Sequence, residues 1–553
     1  MIGDKLSLKK QDSSMVMAFM WVTFISLLVG GLMGLLQTLV RTGKFNLPFG
    51  IGYYQILTVH GVVLGLVLTT FFIVGFQFAL MIKTVGITTA QRKWAWASFW
   101  VMLIGTVASA TMILLGKANV LYTFYAPLKA HPIFYFGLTF VVVGSWIACF
   151  VNFNQLFKWK KKNPGKHSPL LAFMVVINML IWLISTLGVA ATVLLQFIPW
   201  SLGLVDSMNI LVSRTLFWYF GHPLVYFWLL PAYMAWYGIL PKIIGGKIFS
   251  DSLARLAFLL FLLFSIPVGF HHQLLEPGID PFWKYLQVVL TFAVVIPSLL
   301  TAFSMFATFE ITGRQKGYTG LFGWFKNLPW KDVRFFAPFM GMVAFIPAGA
   351  GGLINASYQL NQVVHNTIWV TGHFHLTLAT TVILTFFGIS YWLVPVLTGR
   401  KLNKKINNLG MIQTVVWLIG MLFMSGSMHI AGLLGAPRRS AFSNYQGSEQ
   451  AAEWIGYQYG QAIGGSILFI GILLMLYIFI YMAFLAPKGV EEFPIAELPT
   501  GAEPTPWVLE NWKLWVGIAV VLILFAYTVP FIDIIQNSPP GSPPFGWPIG
   551  NGS

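Results

Sequence analysis

Ten histidines occur in the chain, and seven of them, His60, His222, His271, His272, His373, His375 and His429, fall inside long apolar runs. Ionisable side chains in such runs are costly and usually mark function. A single histidine there can also be a neutral imidazole bonded to a carbonyl of a neighbouring helix. That reading suffices for His429. The run Gly372-His373-Phe374-His375 is different, because residues two apart on a helix point about 200° apart around its axis. The two imidazoles cannot bind one iron, but each can be an axial ligand of a flat cofactor on its own side of the helix. His60, in Thr58-Val59-His60-Gly61, offers a second axial ligand to one of the two, with Gly61 and Gly65 leaving room for a macrocycle. Small residues alone signal only close helix packing.

A second group follows from Ser265-Ile266-Pro267-Val268-Gly269-Phe270-His271-His272. Adjacent helical residues diverge by about 100°, yet a helix end loosened by Pro and Gly lets both rings reach one ion. With His222 this makes three neutral imidazoles, a donor set suited to copper, zinc or iron, with copper highest in the affinity order. Gly221-His222-Pro223-Leu224-Val225-Tyr226 puts Tyr226 one turn from His222 on the same face. Beside a metal its phenol can give a proton and an electron; otherwise it makes a structural hydrogen bond.

The elements that must hold these residues are membrane helices. The 553 residues are 57% hydrophobic and only 9% charged, where soluble domains carry about a quarter charged residues. Runs long enough to cross a bilayer lie at about 15–40, 53–82, 94–115, 133–157, 170–199, 208–240, 253–276, 284–311, 335–359, 368–397, 409–435, 460–486 and 512–533. The expected fold class is thus an all-α polytopic membrane protein of about 13 transmembrane helices. Its single membrane domain is expected over 15–533, between a cytoplasmic tail at 1–14 and an outer Pro/Gly tail at 534–553, with an inner Pro/Glu-rich linker at 487–511. With the N-terminus inside, all but eight of the 33 Lys and Arg fall on the inner side; the eight are Arg41, Lys44, Lys117, Lys129, Arg214, Lys284, Arg438 and Arg439. The positive-inside rule therefore predicts a multi-pass membrane protein with its N-terminus in the cytoplasm and its C-terminus outside. It also removes nucleic acid as the reason for the basic excess. Spans two, six and ten then run inward and span seven outward, so all six remaining histidines converge on the outer half. The one cysteine, Cys149, excludes an internal disulfide and a cysteine-ligated cluster.

Taken together, Tyr54 to Gly61, Gly221 to Tyr226, Pro267 to His272, His365 to His375 and Pro437-Arg438-Arg439 resemble subunit I of the haem–copper oxidases along nearly the whole chain. Within them the chain most resembles the B-family, the ba-type cytochrome c oxidases of prokaryotic plasma membranes. The resemblance implies two haems, one low-spin and one high-spin, of b and of a or o type, and one copper ion. His60 and His375 would hold the low-spin haem, His373 the high-spin haem, and His222, His271 and His272 the copper. Tyr226 would be the catalytic tyrosine, covalently linked to His222. The A-family places a glutamate after Gly-His-Pro where this chain has Leu224, and Asn361 stands where some B-family relatives carry an aspartate.

The implied activity is reduction of dioxygen to water, coupled to proton uptake from the cytoplasm and to proton pumping. His365, Asn366, Arg438 and Arg439 would form a polar roof at haem-propionate height, since forked guanidinium groups suit paired carboxylates. Tyr233, Tyr237, Ser298, Thr301 and Ser304 lie below Tyr226 and resemble the family's proton-uptake path. Electrons need a partner, because a dinuclear copper centre takes two thiolates and a c-type haem takes Cys-x-x-Cys-His. The implied partners are a subunit II carrying that dinuclear copper, optionally a small third helical subunit, and cytochrome c as donor. A nitric oxide reductase of the same fold and a non-enzymatic transporter are the competing readings.

Overall fold

The computed structural model describes residues 8–499, 504–537 and 541. Apolar chain in a bilayer must satisfy its own backbone polar groups, which favours helices, and the described residues form thirteen principal helices. In chain order these are α1 (Lys10–Arg41), α2 (Tyr53–Val85), α3 (Thr89–Leu114), α4 (Pro132–Lys162), α5 (Leu170–Ser201), α6 (Ile210–Ile243) and α7 (Asp251–Phe264). They continue with α8 (Pro281–Gln315), α9 (Val333–Ala356), α10 (Ile368–Thr398), α11 (Lys404–Leu433), α12 (Glu449–Leu485) and α13 (Trp512–Asn537). Among the described residues, twelve are long and apolar enough to cross a membrane; α7 is not. The expected continuous span 253–276 is instead a 14-residue helix ending at Phe264, then a break, then a 3₁₀ turn at Gly269–Gln273. Pro267 has no N–H to continue the ladder and stops α7 there.

Burial ranks the helices by position. The apolar stretch of α10 is wholly buried and that of α6 is 94% buried, against 33% for α13, so α6 and α10 are central and α13 is peripheral. Small residues let neighbouring backbones touch, as where Ser98 of α3 donates to the Gly144 carbonyl of α4 at 2.7 Å. The ladders of α2 and α10 widen to π turns at Val63–Leu68 and His375–Val382, beside the two histidines His60 and His375. Such widenings favour functional sites because they re-aim side chains.

The loops gather on two faces. On one, rich in Lys and Arg, the segment after α12 is pinned: Ala496 N–H donates to Gly238 O, and Glu510 accepts from Ser168 N–H at 2.7 Å and pairs with buried Arg255 at 3.0 Å. The Pro/Glu-rich linker is thus an ordered strap where it is described. The supposed tail also differs from expectation, because residues 10–14 already belong to α1 and buried Asp12 pairs with Arg92 at 2.6 Å. Residues 1–7 lie outside the described residues, as does nearly all of the tail beyond Asn537; residues 534–537 are the last turn of α13. On the opposite face, the segments before α10 and after α11 are zipped together by a Thr367–Pro437 bridge.

Candidate metal and cofactor site

His60 on α2 and His375 on α10 face each other with ring centres 6.0 Å apart and planes within 14°. His60 Nδ1 lies 2.8 Å from the Gly30 carbonyl of α1, and His375 Nδ1 lies 2.8 Å from the Thr371 carbonyl one turn back. A carbonyl only accepts, so each Nδ1 carries the proton and each Nε2 keeps a free lone pair. A metal held about 2 Å from each nitrogen, with roughly 1 Å more to each ring centre, needs centres about 6 Å apart. The pair fits one six-coordinate iron. Around it runs a cavity lined by Gly31, Gly34, Gly61, Trp417 and Met424, and Gly34 is required there because a Cβ would stand 2.7 Å from the His60 ring.

His373 does not line that cavity. Its ring lies on another side of α10, 5.9 Å from Trp369 and against Gly351 of α9, where a Cβ would stand 2.7 Å from Nδ1. The rings of His373 and His375 thus point to different sides of α10. His429 donates its Nδ1–H to the Ser425 carbonyl one turn back, at 2.7 Å, in keeping with a structural role.

His222, His271 and His272 come together, one ring nitrogen of each lying within 4.8 Å of the others. His222 Nδ1 is 3.0 Å from His272 Nε2, and His222 Nε2 is 3.0 Å from the Tyr226 hydroxyl. Two imidazole nitrogens so close need a proton or a cation between them, which fits a metal site. Thr291 donates to the Gln287 carbonyl at 2.6 Å, so its oxygen accepts from His271 Nδ1 at 2.9 Å and leaves His271 Nε2 for a metal. His272 is stacked on Trp218 at 3.8 Å, within 9° of parallel.

Above lies the roof. Arg438 donates its backbone N–H to the Asn366 carbonyl and Nη2 to Asn366 Oδ1, at 3.0 and 2.8 Å, so Asn366 holds the arginine rather than lining the cavity. His365 Nδ1 is 3.0 Å from Asn361 Oδ1, whose amide donates to Asn355. Burial first, then Arg438, Arg214 and Arg439, push His365 down to about 4 within the chain's own charges. Arg41, Arg438 and Arg439 all line the cavity, and Arg41 Nε, Arg438 Nε and Arg439 Nη2 are buried without a partner. Each unsatisfied buried donor costs about 1–3 kcal/mol. A cofactor that brings carboxylates to this end supplies the missing acceptors, so the cavity fits a haem by its axial ligands and by its charge.

On the other side of Tyr226, towards the basic face, Tyr233 donates to Ser298 at 3.3 Å and Tyr237 to Thr301 at 3.1 Å, with Ser304 fully buried one turn further on. Thr301 in turn donates to the Pro297 carbonyl. Sequence reasoning missed Thr291, Gln287, Trp218 and the cavity role of Arg41. Trp218, four residues before His222, was within reach of helical spacing; the others depend on which helices pack together.

A family model described as Cytochrome C and Quinol oxidase polypeptide I matches residues 14–467. Cytochrome c oxidase subunit 1 of Thermus thermophilus is 41% identical over 537 residues, 94% of this chain and 95% of that protein. Cytochrome c oxidase subunit 1 of Bacillus sp. (strain PS3) is 26% identical over 437 residues, 74% of this chain and 66% of that protein. A solved heme-copper terminal oxidase dimer superposes with TM-score 0.91 at 38% identity, over 98% of this chain and 96% of that one. With likeness of that extent added to two imidazole sites of suitable geometry, the chain belongs to the cytochrome c and quinol oxidase polypeptide I family, as a haem–copper oxidase subunit I.

Proposed function

We propose that this chain is the catalytic subunit of a B-family, ba-type cytochrome c oxidase that reduces dioxygen to water and draws its protons from the cytoplasm. The observation that carries the reading is the two-sided use of His222, one nitrogen towards His272 and the other 3.0 Å from the Tyr226 hydroxyl. A phenol is thereby held against a three-imidazole site with no carboxylate in it among the described residues. A nitric oxide reductase, which places glutamates beside a non-haem iron, is disfavoured by that donor set, and Leu224 after Gly-His-Pro favours the B-family over the A-family.

In this reading His60 and His375 would hold a low-spin haem, His373 a high-spin haem, and His222, His271 and His272 a copper. When bound, the haems and copper supply the electrons and the positions at which dioxygen is reduced. Tyr226 holds a proton beside that site. Arg438, Arg439 and Arg41 would offer their unpaired donors to the carboxylates of the haem in the cavity they line, while Asn366 and His365 keep that roof in place. Tyr233, Tyr237, Ser298, Thr301 and Ser304 bring protons from the basic face towards Tyr226, each hydroxyl able both to donate and to accept.

The basic face is cytoplasmic by the positive-inside rule, with α7 and its 3₁₀ continuation completing a thirteenth crossing and the C-terminus outside. Electrons then come from the outer side through a subunit II with a dinuclear copper, fed by cytochrome c. Cys149, buried on α4, is the only thiol and cannot build that centre. A proton taken up inside for each electron arriving from outside moves one charge, worth about 2.3 kcal/mol per 100 mV.

Proteoliposomes of known orientation test this. Oxygen consumption should alkalinise the compartment facing the basic loops. Thr301→Val keeps the side-chain shape but deletes the acceptor of Tyr237, and should slow steady turnover about tenfold or more with haem content unchanged; Tyr233→Phe should do the same. Proton uptake from the opposite compartment, or unchanged rates in both variants, would remove the path. Nitric oxide turnover above oxygen turnover would transfer the chain to the reductases.

A further inference from the structure

The segment that carries His271 and His272 is irregular backbone inside an apolar core, where unpaired backbone groups are strongly disfavoured. Its stop is needed chemically, because a continuing helix would turn the two adjacent rings about 100° apart. What replaces the lost helical bonds comes from α13 and α8. The Tyr527 hydroxyl accepts from Gly269 N–H at 2.9 Å and donates to the Ile266 carbonyl at 3.2 Å, bridging the break on both sides of Pro267. Gln287 Oε1 accepts from Phe270 N–H at 2.8 Å, and its Nε2 donates to the Ala526 carbonyl at 3.1 Å. Gln287 also accepts, at its backbone carbonyl, the Thr291 hydroxyl that receives His271 Nδ1. Tyr527 is 5% exposed and Gln287 fully buried, so water offers no substitute for these bonds.

We infer that Tyr527 and Gln287 are positioning residues for the copper ligands, and that α13 is the splint that lets His271 and His272 converge. The helix lies beyond residue 467, where the family model's match ends. It is peripheral by burial, yet Tyr527 bonds the ligand segment directly and the adjacent Ala526 holds Gln287, which bonds it in turn. The inference rests on the proposed copper reading of His222, His271 and His272.

The test uses the purified complex, with copper and haem counted after dialysis against a graded copper chelator, and amide exchange followed over residues 266–272. Tyr527→Phe keeps the ring, packed against Tyr219 at 5.0 Å and Phe270 at 5.4 Å, and removes only the hydroxyl. Copper affinity should fall about 10- to 100-fold, as for other partners of metal ligands, while exchange at Gly269 accelerates and both haems stay. Gln287→Leu should act likewise. Phe531→Leu, which trims the aromatic packing beside Tyr527 without touching a hydrogen bond, should leave copper and exchange as in the parent. Parental copper retention in Tyr527→Phe, or equal loss in Phe531→Leu, would overturn the inference. His271→Ala separates the two levels: if it keeps its copper the copper reading itself fails, and if it loses copper while Tyr527→Phe does not, only the splint fails.

Discussion

Protein purified after His375→Ala should carry one haem in place of two and lack the low-spin spectrum, and His60→Ala should do the same. Both follow from the 6.0 Å ring separation, which leaves room for one iron with a ligand on each side. Removing either ring leaves one axial bond where two are needed for the low-spin state. His373→Ala should give the opposite result, losing the high-spin component while the low-spin one persists, because His373 stands apart from the cavity that His60 and His375 share. Oxygen turnover should vanish in all three, so the distinction rests on spectra rather than on rate. Reduced-minus-oxidised and carbon monoxide difference spectra read the two components separately. Intact low-spin absorption in His375→Ala would reverse the assignment.

His271→Ala and His272→Ala should each lower copper to well below one per complex, with both haems present, and cut oxygen reduction at least about 100-fold. Among the described residues no fourth histidine, cysteine or carboxylate joins the trio to make good the loss. His271 is the more informative of the two, because Thr291 and Gln287 already fix its tautomer. Thr291→Val should therefore reproduce part of the loss, leaving His271 in place but free to turn. Metal analysis with haem quantified in the same sample checks both variants. Full copper in His271→Ala, or non-haem iron in its stead, would remove the copper reading.

Much of this protein is legible in its residue order. Its apolar runs mark the membrane helices, its basic residues sort the loops onto two faces, and the spacing of His373 and His375 rules out one iron shared by both rings, because 100° per residue is a property of any helix. Proline and glycine before His271 also announce that the helix does not run through the ligand pair, though the continuous span expected over 253–276 is too long. The family resemblance, rather than spacing, singles out His375 as the partner of His60.

The partners that orient the ligands come from helix packing. The Gly30 carbonyl that orients His60 is 30 residues away, the Thr291 that orients His271 is 20 away, and the Tyr527 that bridges the broken helix is 258 from Gly269. Arg41, one basic residue among 33 in the sequence, becomes a cavity-lining donor only because α1 packs beside α12, where it meets Gln461. Periodicity is a local property and reports which way a side chain leaves its own helix. Which hydrogen-bond partner it meets depends on how helices from distant parts of the chain pack, and in a bilayer close packing of backbones and buried polar bonds set that arrangement in place of an apolar-in, polar-out pattern.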